Sequence, residues 1–224
     1  MKVSMVRTLI LRDLDRHRHY IALSIVGGVV ALALIQVGGE APTILGATWF
    51  FISLIVLGSM LPISNVINER KKQTLPFLMS LPLSVIQYTA AKMLSTVGMF
   101  FVPWLTLVVA GVSFIVGRRD IPNGIIPVMM VAATFTFLGF CVIAAAALIS
   151  ESEGWTVAAT VISNSSYGFI WYLLMRNAAI RNDLKSAVAV WSTPIMTALT
   201  VEIAMIAVIL AVTFYVQTRK RDFV

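Results

Sequence analysis

The chain has 224 residues, of which 59% are hydrophobic and only 12% charged, and its mean hydropathy is +0.92. A water-soluble domain carries roughly 25% charged residues, and the apolar residues here come in runs that no soluble core of this size absorbs, so an all-α integral membrane protein is expected. The net charge of +7 does not point to nucleic acid, because the basic residues flank apolar runs; the single cysteine, Cys141, sits inside such a run, allows no intrachain disulfide and reads as a packing residue.

In residues 1–19, Val6, Leu9, Ile10 and Leu14 recur at helical spacing while Arg7, Arg12, Asp15 and Arg18 fall mainly elsewhere. That pattern predicts an amphipathic helix lying in the membrane interface against lipid headgroups. His17 and His19 read as interfacial polar residues, since no Cys or acidic residue stands at metal-site spacing from them. Six apolar segments then approach the roughly 20 residues that a helix needs to cross a bilayer. They are Tyr20 to Val37, Ile44 to Ile67, Ala91 to Val116, Ile125 to Ser150, Trp155 to Met175 and Ile195 to Val216. Together they make a six-span domain over 20–217, followed by a basic tail at 218–224. The first span follows a basic segment as a signal peptide would, but it is long enough to cross and leads through Gly38-Gly39-Glu40 into further spans, so no cleavage is expected.

An even span count puts both termini on one side. With that side cytoplasmic, 12 of the 17 Lys and Arg residues face inward, as the positive-inside rule requires. The connection 68–91 between spans two and three is then the longest cytoplasmic loop. It starts polar, with Glu69, Arg70, Lys71 and Lys72, yet Leu75, Phe77, Leu78, Met79 and Leu81 are too apolar for a solvated connection, so headgroups or a partner protein must cover them. On the opposite side, the segment 176–194 includes the apolar stretch 187–191, too short to span, for which a short interfacial or re-entrant helix is expected, with Trp191 at headgroup level beside Trp171 and Tyr172.

Within the spans, Glu202 is a carboxylate that hydrocarbon penalises by about 2.5–3.5 kcal/mol unless it is paired or wet, so it should face the protein interior. It reads equally as a polar point on a substrate path or dimer seam and as a structural hydrogen-bond partner. Ser163, Asn164, Ser165 and Ser166 form a polar cluster whose first reading is close helix packing and whose second is lining of a conduit. Asn65 can serve the same seam, and Pro62 and Pro103 are candidate kinks. Ser150 or Ser152 can cap the helix after the turn holding Glu151 and Glu153, a turn that faces the same side as the long loop. No phosphate-binding G-x-x-x-x-G-K-[ST] loop, H-E-x-x-H or G-x-S-x-G occurs, so neither catalysis nor ATP, metal or cofactor binding by this chain is expected.

The long loop also carries a resemblance. Glu69 at the end of span two, the basic run Arg70 to Lys72, Thr74, the turn Ser80-Leu81-Pro82-Leu83-Ser84 and Lys92 opening span three follow in the order seen in the membrane subunits of ABC exporters of the type-2 permease family. The chain resembles that family over nearly its full length: an interfacial N-terminal helix, six spans and cytoplasmic ends. Pro76, close after Thr74, departs from the pattern and moves the start of the loop helix to about Phe77. The resemblance implies a cytoplasmic coupling helix in which Glu69, Arg70, Thr74, Phe77, Leu78, Met79, Ser80, Leu81 and Pro82 dock on a separate nucleotide-binding ATPase subunit. That subunit would hold ATP and Mg. It further implies a second permease copy or a sister permease, a bacterial cytoplasmic membrane and export of a hydrophobic or amphipathic cargo such as a lipid, peptide or drug, with Asn65, Asn164, Ser165 and Glu202 on the path or dimer seam. The rival reading is an ion-coupled secondary transporter using Glu202.

Overall fold

A backbone in hydrocarbon must close its own hydrogen bonds, and helices do so within one segment. The computed structural model, which describes residues 2–67 and 85–219 and the side chains of 11–67 and 90–219, is all-helical over the described residues. The helices are α1 (Lys2–Val37), α2 (Glu40–Pro62, continued by a π-helical turn Ile63–Ile67), α3 (Val85–Gly117), α4 (Ile125–Ser150), α5 (Glu153–Arg176), the short α6 (Ala178–Asp183) and α7 (Thr193–Arg219). Five of them, α1 to α4 and α7, are long and apolar enough to cross a membrane. The 24-residue α5 falls below that apolarity because it carries the Ser163 to Ser166 cluster.

The six long helices alternate in direction. Helix α1 runs against α2: the Ser24 hydroxyl donates to the Ser53 carbonyl at 3.1 Å, and Gly46 lets the backbones close up where a Cβ would stand 2.7 Å from the Ala31 oxygen. Helix α3 runs against α4, with Phe100 stacked on Phe140 at 4.3 Å and Gly111 beside Met129. Helix α5 lies against α4 over its second half, from Ser163 at Gly139 to Leu174 in one cluster with Val128 and Val131. Helix α7 runs parallel to α4: Ile195 packs with Val131, Ile209 and Leu210 pack against the Phe140 cluster, and the Gln217 amide donates to the Leu148 carbonyl. Helix α4 is therefore the centre, with 72% of its most apolar stretch buried against 11% for α7. The bundle has a loop end, at Ile67, Val85 and the 151–152 turn, and a glycine end, at Gly38-Gly39, 118–124 and 177–192.

The chain reverses by local means. After α1, Gly38 and Gly39 take φ of 80° and 87°, the left-handed region in which a side chain is strained. At the far end of α4, Glu151 itself adopts φ 57° and its N–H closes on the Ala147 carbonyl at 3.1 Å. Ser152 is the N-cap of α5 by position but makes no side-chain cap bond, whereas Asn177 caps α6 by accepting from the Ala179 N–H at 3.0 Å.

Three expectations need correction. Residues 2–19 are not set off from the first span: α1 is unbroken from Lys2 to Val37, because no Pro or Gly interrupts its first half, and Asp13 within that half is bonded to α3. His17 is not an interfacial side chain but 2% exposed, held by the Asp13 carbonyl at 2.8 Å and stacked near Tyr20. Residues 187–191 are not helical; the short helix of that connection is α6, over Ala178–Asp183. Helix α3 passes through Pro103 without interruption, while Pro62 is followed at once by the π-helical turn.

The segment 177–186 folds over the start of α4, where the Gly124 N–H donates to the Ser186 carbonyl at 3.0 Å and a Cβ on Gly124 would fall 1.9 Å from the Asp183 oxygen. Gly124→Ala should lift this segment away. Trypsin cleavage at the exposed Arg181 and Lys185 should then be faster in the variant than in the wild type, with the bundle itself intact.

Candidate functional site

At the loop end, six buried polar residues from three helices meet. Lys92, about two turns into α3, places its ammonium 3.3 Å from Asp13 Oδ2 on α1 and donates at 2.8 Å to Asn65 Oδ1 in the π-helical turn. Ser95 donates to the same Asp13 oxygen at 3.0 Å, and Asn65 Nδ2 donates to Thr96 Oγ1 at 2.8 Å. His17 completes the group one turn along α1. Both ions of the pair are 8% exposed, so their mutual attraction is little screened, and each has polar partners besides the other. Asn65 lies within the π turn and its side chain meets α3 at Lys92 and Thr96; π segments are frequent at working sites.

This cluster stands at the root of the connection 68–84, which leaves from Ile67 and returns at Val85. Asn65 and Lys92 were singled out from the sequence; Asp13, Ser95 and Thr96 were not. The coupling residues Glu69, Arg70, Thr74, Phe77, Leu78, Met79, Ser80, Leu81 and Pro82 lie outside the described residues, as does the tail at 220–224.

A second polar group lies midway along the bundle. Tyr167 on α5 directs its hydroxyl at Thr136 Oγ1 and at the Ala132 carbonyl, 3.1 Å away. Glu202 on α7 lies near Tyr167, is 6% exposed, and leaves its Oε2 without a hydrogen-bond partner. Asn164 reaches Ser59 on α2 at 3.5 Å, Ser163 is buried against α4, and Ser165 is exposed. Asn65 and Glu202 therefore belong to different sites, one at the loop end and one midway. Among the described residues no three His, Cys, Asp or Glu side chains converge as metal ligands.

At the glycine end, Arg118 ties α3 to α1. Its guanidinium makes a paired contact with Asp120, donates to Gln36 Oε1 at 3.0 Å and to the Ile35 carbonyl at 3.3 Å, and lies 5.6 Å from the centre of the Phe114 ring. The hydrogen bonds from Arg118 hold the Asp120 carboxyl below the ordinary aspartate range.

Fold and sites together define a multi-pass α-helical membrane protein with a buried charged junction at one end. No protein-family model matches the chain, and no curated protein matches it.

Two outcomes follow. Lys92→Met leaves Asp13 buried without its cation and should cost about 3–5 kcal/mol, whereas Asp13→Asn combined with Lys92→Met should recover much of the loss, both read from thermal unfolding in detergent. At the other end the lowered Asp120 pKa means that the ion pair's contribution is complete above the ordinary aspartate range and fades as pH falls through the lowered value. Asp120→Asn should remove that acid-side fall from a melting-temperature profile against pH.

Proposed function

We propose that this chain is the membrane-spanning subunit of an ATP-driven exporter of the type-2 permease kind, coupled through its 68–84 loop to a separate ATPase subunit. The observation that carries the reading is the buried Lys92–Asp13–Asn65 junction at the loop's root. A push on the loop enters the membrane through its two ends, and there α1, α2 and α3 are bonded side chain to side chain, so the three helices take up the load as one body. The apolar Phe77, Leu78 and Met79 anchor the loop in a pocket of the ATPase, with Glu69 and the basic run at the rim.

Six crossings are supported by packing. Helices α4 and α7 run parallel and start at the same end, so the chain has to return between them, and α5 lies against α4 from Ser163 at Gly139 to Leu174 beside Val128. Both termini then share the loop side, which the Lys and Arg distribution makes cytoplasmic. With the most deeply buried helix, α4, filling the centre and few spans in one copy, the path for a hydrophobic or amphipathic cargo forms with a second copy or a sister permease. ATP and Mg belong to the partner subunit.

One observation favours a second reading. Glu202 is buried among spans with an unpartnered oxygen, as the carrier of a coupling proton or cation in a secondary transporter would be.

Reconstitution with a candidate ATPase subunit separates the two. In the exporter, the pair hydrolyses ATP and Phe77→Ala/Leu78→Ala loses assembly or stimulation while the spans still insert. Transport that follows an ion gradient without any ATPase, and is lost in Glu202→Gln, would establish the secondary transporter instead.

A further inference from the structure

The glycine end contains a cavity of about 190 Å³ bounded by five of the long helices and the connection after α6. Phe50, Gly111, Ile115, Val128 and Ala132 form its inner part, and the exposed Ala47 and Trp171 lie at its lining, so it opens on the lipid-facing side. The one hydroxyl in that lining, on Thr43, is turned to the Gly39 carbonyl at 2.7 Å. A water molecule inside would find none of the two to four polar partners it needs, whereas an apolar cavity of roughly 150 Å³ already admits benzene. Hydrocarbon is the occupant this space accepts, and in a bilayer the hydrocarbon at hand is an acyl chain.

The rim names the rest of the molecule. The cavity reaches Ile35, Phe114 and Ile121, at the helix ends, where headgroups begin. Arg118 is spent on Asp120, Gln36 and Ile35, but the adjacent Arg119 is exposed and makes no hydrogen bond or ion pair with any described residue. Against the acidic Glu40 and Asp183 the same end sets Arg176, Arg181 and Lys185 besides Arg119, a surplus of two cations, and Arg119 is the one two residues from the cavity-lining Ile121. We propose that this cavity is a phospholipid site, with one acyl chain between α2, α3 and α4 and the lipid phosphate at Arg119. The inference needs only a bilayer around these helices, so it stands or falls apart from coupling to an ATPase.

The test reconstitutes the full chain with phosphatidylglycerol bearing a mid-chain diazirine, illuminates it and maps the cross-linked peptides. Cross-links should concentrate on residues 47–51, 111–115 and 125–132. They should drop several-fold in Ala47→Phe, which fills the mouth from an exposed position and needs no core rearrangement. Arg119→Gln should weaken retention of the lipid in native mass spectrometry of the detergent-purified protein. Cross-links spread as densely over the exposed faces of α5 and α7, or unchanged by Ala47→Phe, would overturn the acyl-chain site. Cavity labelling that persists with undiminished lipid retention in Arg119→Gln would overturn the phosphate contact.

Discussion

A polar group placed in hydrocarbon has no water to turn to, and this constraint shapes the molecule from the backbone outward. It accounts for the long helices, and it also accounts for the hydroxyls. Thr43, Ser59, Ser64, Thr106, Thr134, Thr160, Ser166, Thr197, Thr200 and Thr213 all donate to a carbonyl four residues back on their own helix. Each such residue is made locally self-sufficient, so it can be apolar in effect and sit on a lipid-facing or helix-facing side without a distant partner. The polar side chains that do reach across to another helix are therefore informative, and they gather in few places.

Those places divide the bundle by depth. The loop end holds charge locked inside the protein, the middle holds the Tyr167 and Glu202 group, and the glycine end holds an apolar hollow below a clamp of Arg118. Helix α4 passes all three levels, and it carries the aromatic cluster of Phe137 and Phe140 against Phe100 that fixes the spacing of its neighbours. Dense packing lies at the centre and the buried polar junction at the loop end, while the cavity lies toward the opposite end.

Much of this arrangement was legible in the residues, because apolar runs bounded by charged or glycine-containing turns report helices directly. The segment Ile125 to Ser150 agrees with α4 at both ends. The buried junction was less legible for a physical reason. Asp13 sits among Arg12, Arg16 and Arg18, where an acidic residue looks like part of a solvated face, and its partner lies 79 positions away in the sequence. Ser95 and Thr96 look like any hydroxyls in a span until their bonds are seen. The continuity of α1 was hidden because a charged first half and an apolar second half read as two environments, although nothing in the chain breaks the helix between them. The stretch 187–191 misled by composition: it is apolar, yet it has no turn of helix-forming length that would bury its backbone. Of the residues that carry the family resemblance, those at 69–84 rest on sequence alone, while Lys92 lies in the buried junction.

The π-helical turn at Ile63–Ile67 has a consequence for how the chain can vary. An α-helix advances about 100° per residue, so the single extra residue held in a π turn rotates everything after it by that amount relative to an uninterrupted helix. The turn thus works as a phase adjuster: the lipid-facing and protein-facing sides of α2 are set by the residues before it, while the heading of the chain as it leaves Ile67 is set by the turn. A one-residue deletion inside it would leave a regular helix of unbroken hydrogen bonds, and a connection that departs about a quarter of a circle away.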